Sequence, residues 1–141
     1  MPTKTDPARV ASDLRVVLGQ LIRRLRAENR FPIPQAAVLG RLERCGPQSV
    51  SDLAAAEGVR PQSMAQTVAD LEADGCVTRR PDPDDGRRAL VELTEEGLTR
   101  LQADRAARDG WLARAIAEKL SPADQDTLET AVELLRQLAE S

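Results

Sequence analysis

Residues 49–75 read SVSDLAAAEGVRPQSMAQTVADLEADG, and this stretch predicts two short helices joined by a turn. Ser49 and Asp52 are spaced as in a capping box at the start of the first helix, and Gly58 lies in the turn. Pro61 suits the first position of the second helix, where no N–H donor is needed. Apolar residues recur at helical spacing along that second helix: Met64, Val68 and Leu71. The stretch therefore predicts a helix-turn-helix.

The helical spacing of apolar residues ends directly after this stretch. Residues 76–80 and 89–93 are short runs that are compatible with β-strands, and the charged, turn-rich segment 81–88 separates them. We therefore expect a β-hairpin. A hairpin that follows a helix-turn-helix is the wing of a winged helix.

Helices are also predicted before the helix-turn-helix. Asp6 and Pro7 start a helix that runs to about Asn29, and Pro34 opens a short helix that ends at Gly46. The first of these has one apolar face: Val10, Leu14, Val17, Leu18, Leu21 and Leu25.

Two longer helices are predicted after the hairpin. Thr94 caps a helix that runs as far as Lys119, and Ser121 starts a last helix. An apolar stripe follows the last helix: Leu128, Val132, Leu135 and Leu138.

The order of elements predicts a mainly α fold with a small β-hairpin wing, a winged helix-turn-helix with terminal dimerisation helices. We expect one domain over residues 1–141, with a DNA-binding part at about 34–94 and dimerisation helices at about 1–30 and 95–141. A single helix-turn-helix contacts few base pairs, so a two-fold dimer is the common solution. Packing of the terminal helices within one monomer remains the alternative.

The composition argues against most enzyme chemistry. The chain has no His and only two Cys, so imidazole bases, Ser-His-Asp systems and the usual structural zinc sites are absent. It has no Gly-rich phosphate loop, no apolar run of bilayer length and no signal peptide. We therefore expect a cytoplasmic protein that is not an enzyme and uses no cofactor, metal or membrane.

Charge is unevenly distributed along the chain, although the net charge is only −3. Residues 1–50 hold 9 basic and 4 acidic side chains, whereas residues 51–94 hold 5 and 9 and residues 95–141 hold 6 and 10. Local anion binding is compatible with this distribution, but a surface covered in positive charge is not.

Motifs along nearly the whole chain resemble the MarR family of bacterial transcription regulators. They are Pro34-Gln35 with Val38-Leu39 and Leu42, Asp52-Leu53-Ala54, residues 68–72 with Gly75, and Asp85-Gly86-Arg87 with residues 91–94 and Gly97. The resemblance implies a homodimer with a recognition helix in the major groove of double-stranded DNA and wings at the flanking minor grooves. It also implies an effector pocket in many members.

Candidate DNA-binding residues fall into three groups. At the start of the recognition helix, base-edge contacts are expected from amides and hydroxyls: Pro61, Gln62, Ser63, Gln66 and Thr67. The resemblance implies that Arg87 enters the minor groove and that Asp85 positions it. Arg79, Arg80 and Arg88 are expected phosphate contacts. Ser49 and Ser51 could meet a phosphate at a helix start, but capping explains them equally well.

Effector candidates are fewer. Arg15 could line a pocket for an anionic ligand and Trp111 could touch a ligand, although a solvated face for the arginine and core or dimer packing for the tryptophan are the simpler interpretations. We expect Cys45 and Cys76 to be buried structural thiols.

The sequence thus predicts a sequence-specific DNA-binding transcription regulator that recognises a pseudo-palindromic operator. We expect a repressor that a small-molecule or redox effector releases from DNA. The alternative is a winged-helix protein-interaction module that has lost specific DNA binding, since residues 51–94 are net acidic.

Overall fold

The computed structural model describes residues 4–141. In chain order the elements are α1 (Pro7–Arg26), α2 (Ile33–Cys45), α3 (Val50–Glu57), α4 (Pro61–Ala73), β1 (Val77–Pro81), β2 (Ala89–Leu93), α5 (Glu95–Lys119) and α6 (Pro122–Ala139). The predicted mainly α fold with one hairpin is confirmed. The chain divides into a winged-helix unit, Asn29–Ala106, and a terminal unit, which is the described part of Met1–Glu28 together with Ala107–Ser141.

A buried apolar core holds the winged-helix unit together. The predicted positions Met64, Val68 and Leu71 of α4 are all buried in it. Other members come from the neighbouring helices and from both strands: Val38, Leu39, Leu42, Leu53, Val77, Val91 and Leu101. Burial of large aliphatic side chains contributes roughly 1.5–3 kcal/mol each, so the two helices of the helix-turn-helix are fixed chiefly by this core.

The hairpin is antiparallel, and its register runs from Val77 opposite Leu93 to Pro81 opposite Ala89. Gln48, just before α3, adds one bridge to β2: its N–H donates to Val91 O (3.1 Å) and its O accepts from Val91 N–H (2.7 Å). The middle of β2 is therefore joined to the start of the helix-turn-helix.

The helix ends follow the capping signals in the sequence. Ser49 Oγ accepts the N–H of Asp52 (3.1 Å), which confirms the predicted cap of α3. Gly58 ends α3 with φ 65°, a left-handed conformation that favours glycine in the turn. The predicted end of α1 is three residues too late, because the N–H groups of Ala27 and Glu28 bond Arg24 O and Leu25 O in a tighter final turn.

A junction around Thr94 connects α4, β1 and α5. The Thr94 hydroxyl donates to Gly75 O (2.7 Å) and accepts from Gly97 N–H (3.0 Å), while Thr94 N–H donates to Cys76 O (3.0 Å). A Cβ atom at Gly97 would lie only 2.1 Å from the same Cys76 oxygen. Position 97 therefore needs glycine, because any side chain there would push α5 away from the junction.

In the terminal unit, α1 and α6 contain no buried residue. Nine of their large apolar side chains are exposed, whereas four leucines of the predicted apolar faces, at positions 14, 25, 128 and 135, are half-buried. The exposed ones are Val10, Val16, Val17, Leu18, Leu21, Ile22, Val132, Leu134 and Leu138. No helix within residues 4–141 is long and apolar enough to cross a membrane. The described part of the chain also contains no group of three or more Cys, Asp or Glu side chains that could hold a metal ion.

We predict that Gly97→Ala destabilises the protein by about 1–3 kcal/mol, because the added methyl group meets backbone that cannot move freely. Urea unfolding followed by circular dichroism measures this free energy. Gly110→Ala on the same helix is the matched control, since its Cβ would meet only the flexible end of Arg114, at 3.5 Å. The control should stabilise by about 0.5–1 kcal/mol. Equal effects of the two substitutions would contradict the close approach at Gly97.

Candidate nucleic-acid interface

The outward face of α4 carries the polar residues that are predicted to contact base edges. Gln62, Ser63 and Gln66 are exposed, and Thr67 is half-buried. The Gln66 amide donates to Asp70 Oδ1 (2.9 Å), so its oxygen and its second N–H remain for another partner. The Thr67 hydroxyl donates to Ser63 O (3.1 Å) and keeps its acceptor sites. This face can therefore both donate and accept hydrogen bonds.

The first turn of α4 has no side-chain cap. Arg60 stands at the N-cap position, Pro61 follows it, and the first turn contains no acidic residue. Backbone N–H groups at an uncapped helix start can be satisfied by an anion, which the helix dipole also favours. The end of α4 that carries Gln62 and Ser63 is thus suited to lie against a phosphate backbone.

At the tip of the hairpin, aspartate side chains fix the backbone. Arg87 N–H donates to Asp85 Oδ1 (3.0 Å), and Asp84 N–H donates to Asp82 Oδ1 (2.9 Å). Arg88 N–H closes the turn on Asp85 O (3.0 Å). Asp85 therefore holds the main chain of Arg87, and its role in positioning Arg87 for DNA stays a prediction.

The arginines of the hairpin differ in their partners. Arg79 Nε lies 3.3 Å from Glu72 Oε2, and Arg80 Nε lies 3.1 Å from Glu92 Oε2. Arg88 Nη2 lies 2.5 Å from Asp52 Oδ2. Arg87 forms no ion pair with any residue of the described chain, so its guanidinium is the one in the hairpin that remains available to an outside anion.

The start of α3 lies beside the hairpin tip. Ser49 is only 5% exposed, and its Oγ accepts from both Asp52 N–H and Arg88 Nη2 (2.8 Å). The serine is therefore occupied as a cap, whereas Ser51 is exposed. A depression of about 430 Å³ separates α3 from the hairpin, with this lining: Ser49, Val50, Ser51, Asp52, Arg79, Arg87, Arg88 and Ala89.

Hydrogen bonding with Ser49 lowers the pKa of Asp52 below its usual value, and the charge of Arg88 acts in the same direction. The Asp52 carboxylate is thus held in its ionised form at the start of α3. This position also suits a negative charge because it lies at the positive end of the helix dipole.

Trp111 and Arg15, the two candidate effector contacts, lie in different surroundings. Trp111 is half-buried, and the guanidinium over its ring, 4.2 Å from the centroid, belongs to Arg24. Arg24 also pairs with Glu28 (3.1 Å), so packing within the terminal unit accounts for the tryptophan. Arg15 is exposed on α1. A ligand-binding role for Arg15 and Trp111 stays a prediction.

The prediction for the cysteines is confirmed for one and wrong for the other. Cys76 is buried, and burial raises the pKa of its thiol, although Arg100 Nη1 at 3.1 Å acts in the opposite direction. Cys45 is exposed, because it is the last residue of α2 and lies beyond Leu42, the last core residue of that helix.

The ion pairs of the hairpin were missed by sequence reasoning. The Arg80–Glu92 pair could have been found from the register of a predicted hairpin, since that register places Glu92 opposite Thr78 and diagonal to Arg80. The Arg88–Asp52 pair had none, because its members are 36 residues apart in the chain.

We predict that Asp52→Asn lowers the free energy of unfolding at neutral pH. A carboxyl group with a lowered folded-state pKa stabilises the protein above its unfolded pKa, about 3.9, and this stability is lost as the pH falls through the folded pKa. The difference in free energy of unfolding between wild type and variant should thus be constant above about pH 5 and shrink below pH 4. Urea unfolding at a series of pH values measures this difference, and Asp13→Asn controls for the loss of one exposed carboxylate. A difference that is equally large at pH 3 and pH 7 would contradict this prediction.

The chain is similar to known proteins in both sequence and structure. The MarR family model matches residues 31–88, which lie within the winged-helix unit. An uncharacterized HTH-type transcriptional regulator of Mycobacterium bovis is 38% identical to the chain over an alignment of 136 residues, and the match covers 94% of each protein.

Solved structures agree with the fold. A putative transcriptional regulator of Pseudomonas aeruginosa superposes with a TM-score of 0.85 at 35% identity, and the match covers 98% of this chain and 99% of that one. A mutant of the MepR protein of S. aureus bound to an oligodeoxyribonucleotide has a TM-score of 0.71 at 18% identity, covering 92% and 97%. The second likeness shows the fold alone.

Proposed function

The chain belongs to the MarR family, whose members are DNA-binding transcription regulators and not enzymes, and on that premise we propose that it is a homodimeric repressor of a pseudo-palindromic operator. The observation that carries the proposal is the unpaired Arg87 at the hairpin tip, together with the polar, uncapped start of α4. These two features offer donors to a minor groove and a major groove.

The recognition helix would supply the base contacts. In this proposal Gln62, Ser63, Gln66 and Thr67 face base edges in the major groove, with Pro61 at the start of the helix. Gln66 has one amide oxygen and one N–H left after its bond to Asp70, the pair of groups that can bind adenine bidentately. Ser51 and the uncapped N–H groups of α4 would contact phosphates.

The wing would supply the second group of contacts. Arg87 enters the minor groove, where a narrow A·T tract concentrates negative potential, and Asp85 holds its backbone in place. Arg79 and Arg80 would have to exchange a glutamate partner for a phosphate. Their contribution to affinity is therefore expected to be smaller than that of Arg87.

The exposed apolar faces of α1 and α6 support a dimer. Apolar faces of this kind usually mark a surface that another protein covers, and each fully buried Val or Leu side chain contributes roughly 1.5–3 kcal/mol. A second copy of the chain would bury them and bring two recognition helices together on a two-fold operator.

Effector control would work through the spacing of those two helices. A small molecule or an oxidant that binds better to the spacing that does not fit DNA lowers operator affinity and releases the repressor. Arg15 and Trp111 remain the candidate ligand contacts, and the regulator would act in the cytoplasm. The alternative of a protein-interaction module rests only on the net negative charge of residues 51–94. An Arg87 that has no ion-pair partner within the described chain does not favour that alternative.

We predict that Arg87→Ala weakens DNA binding by about 1–3 kcal/mol and leaves the dimer intact. The probe is a duplex that the wild-type protein selects from a random-sequence library, and fluorescence anisotropy at fixed salt measures the affinity. Arg136→Ala, on α6 and paired with Glu133, is the control for loss of one surface arginine. An Arg87 variant that binds as tightly as this control would remove the wing from the mechanism.

We predict that Leu21→Glu converts the dimer to a monomer, because it places a charge in the exposed apolar face of α1. DNA affinity should then fall by about 100-fold, since the second recognition helix is no longer tethered to the first. Analytical ultracentrifugation gives the mass, and Ser12→Glu on the opposite side of the same helix is the control. A Leu21 variant that sediments as a dimer would exclude this face from the interface.

A further inference from the structure

We propose that Arg88 and Asp52 form a latch that positions the wing on α3, so that Arg88 acts on DNA binding through Asp52 and not through a phosphate. This inference rests on the proposed function of the chain as a DNA-binding repressor. It assigns to Arg88 a role different from the phosphate contact expected from the sequence. Arg88 would be a positioning residue, and Arg87 the contacting one.

The contacts of Arg88 cross from the hairpin to the helix-turn-helix. Its Nη2 lies 2.5 Å from Asp52 Oδ2 and 2.8 Å from Ser49 Oγ, and its Nε lies 3.9 Å from Asp82 Oδ2. Ser49 is 5% exposed, so one end of the latch is fixed in the interior of the winged-helix unit. The single nitrogen Nη2 thus donates to both the Asp52 carboxylate and the Ser49 hydroxyl, and a charge-assisted contact of this kind restricts both partners.

The hairpin needs such a contact at its tip. A two-stranded hairpin is only marginally stable by itself, and here the ladder ends at the pair Pro81 and Ala89. The bridge from Gln48 to Val91 fixes the hairpin nearer its base. Arg88 lies just beyond the last pair and directly beside Arg87, so the latch and Asp85 together fix the direction in which Arg87 leaves the tip.

The surroundings of the latch favour positioning over stability. The side chains of Arg88 and Asp52 are 43% and 51% exposed, and exposed ion pairs contribute little to the free energy of folding. Their loss should therefore leave the protein folded. The expected change is a more mobile hairpin tip.

The two roles of Arg88 predict opposite effects of removing Asp52. If Arg88 contacts a phosphate, Asp52→Ala frees its guanidinium and removes a negative charge near DNA, so binding becomes tighter. If Arg88 is a latch, Asp52→Ala releases the tip and binding becomes weaker.

A double-mutant cycle on the selected duplex tests the latch. We expect Asp52→Ala and Arg88→Ala each to weaken binding by about 3- to 30-fold, and the double variant to be no weaker than either, because both remove one interaction. The salt dependence of Arg88→Ala should match that of wild type, whereas loss of a phosphate contact lowers the slope by about 1. Asp52→Glu keeps the carboxylate and should restore most of the affinity.

Hydrogen exchange of the DNA-free protein gives a readout that does not depend on the operator. The hydrogen-bonded amides at positions 82, 84, 87 and 88 should lose protection in both latch variants and keep it in Arg87→Ala. Tighter binding by Asp52→Ala, or additive losses in the cycle, would overturn the latch while leaving the proposed function intact. A wild-type protein that binds no duplex would instead overturn the proposed function, and the exchange rates would still report on the latch.

Discussion

The Thr94 hydroxyl connects α4, the wing and the long helix α5 at one point. It bonds Gly75 O just beyond α4 and caps α5 through Gly97 N–H, while the Thr94 main chain pairs with Cys76 at the base of the hairpin. Gly97 has no side chain, so α5 can start against the Cys76 carbonyl. These bonds act together with the shared apolar core, which contains residues of α4 and of both strands, in setting the position of α4 relative to the wing.

In the proposed function, ion pairing within the protein decides which hairpin arginines are available to DNA. The winged-helix unit carries several arginines in the hairpin, but Arg79, Arg80 and Arg88 each lie against a carboxylate. This explains how a segment that is net acidic, residues 51–94, can belong to a DNA-binding protein. Affinity would depend on a few placed contacts, and the nonspecific part of binding, which follows positive charge, would be modest.

Local patterns in the sequence predicted most of the fold. Helix caps such as Ser49, the spacing of Met64, Val68 and Leu71, and the turn before Ala89 act over a few residues, so they can be read without a structure. Helix ends were less certain, as α1 shows, because final turns depend on competing hydrogen bonds. The DNA-contacting roles of the polar face of α4 and of Arg87, which were predicted from residue types and family resemblance, stay predictions.

Contacts between distant residues could not be predicted in this way. The pairing of Arg88 with Asp52 depends on how the hairpin packs beside α3, and no local pattern encodes that packing. The burial of Cys76 and the exposure of Cys45 likewise depend on where the core ends.

In the proposed function the regulator binds its operator through a small number of well-placed contacts. The affinity of the wild-type protein for the selected duplex and for a scrambled duplex, measured over a range of salt concentrations, tests this binding mode. We expect a clear preference for the selected duplex and a logarithmic salt slope of only a few units, since each phosphate contact adds about 0.9 to it. Equal affinity for the two duplexes, or an affinity that does not change with salt, would contradict this binding mode.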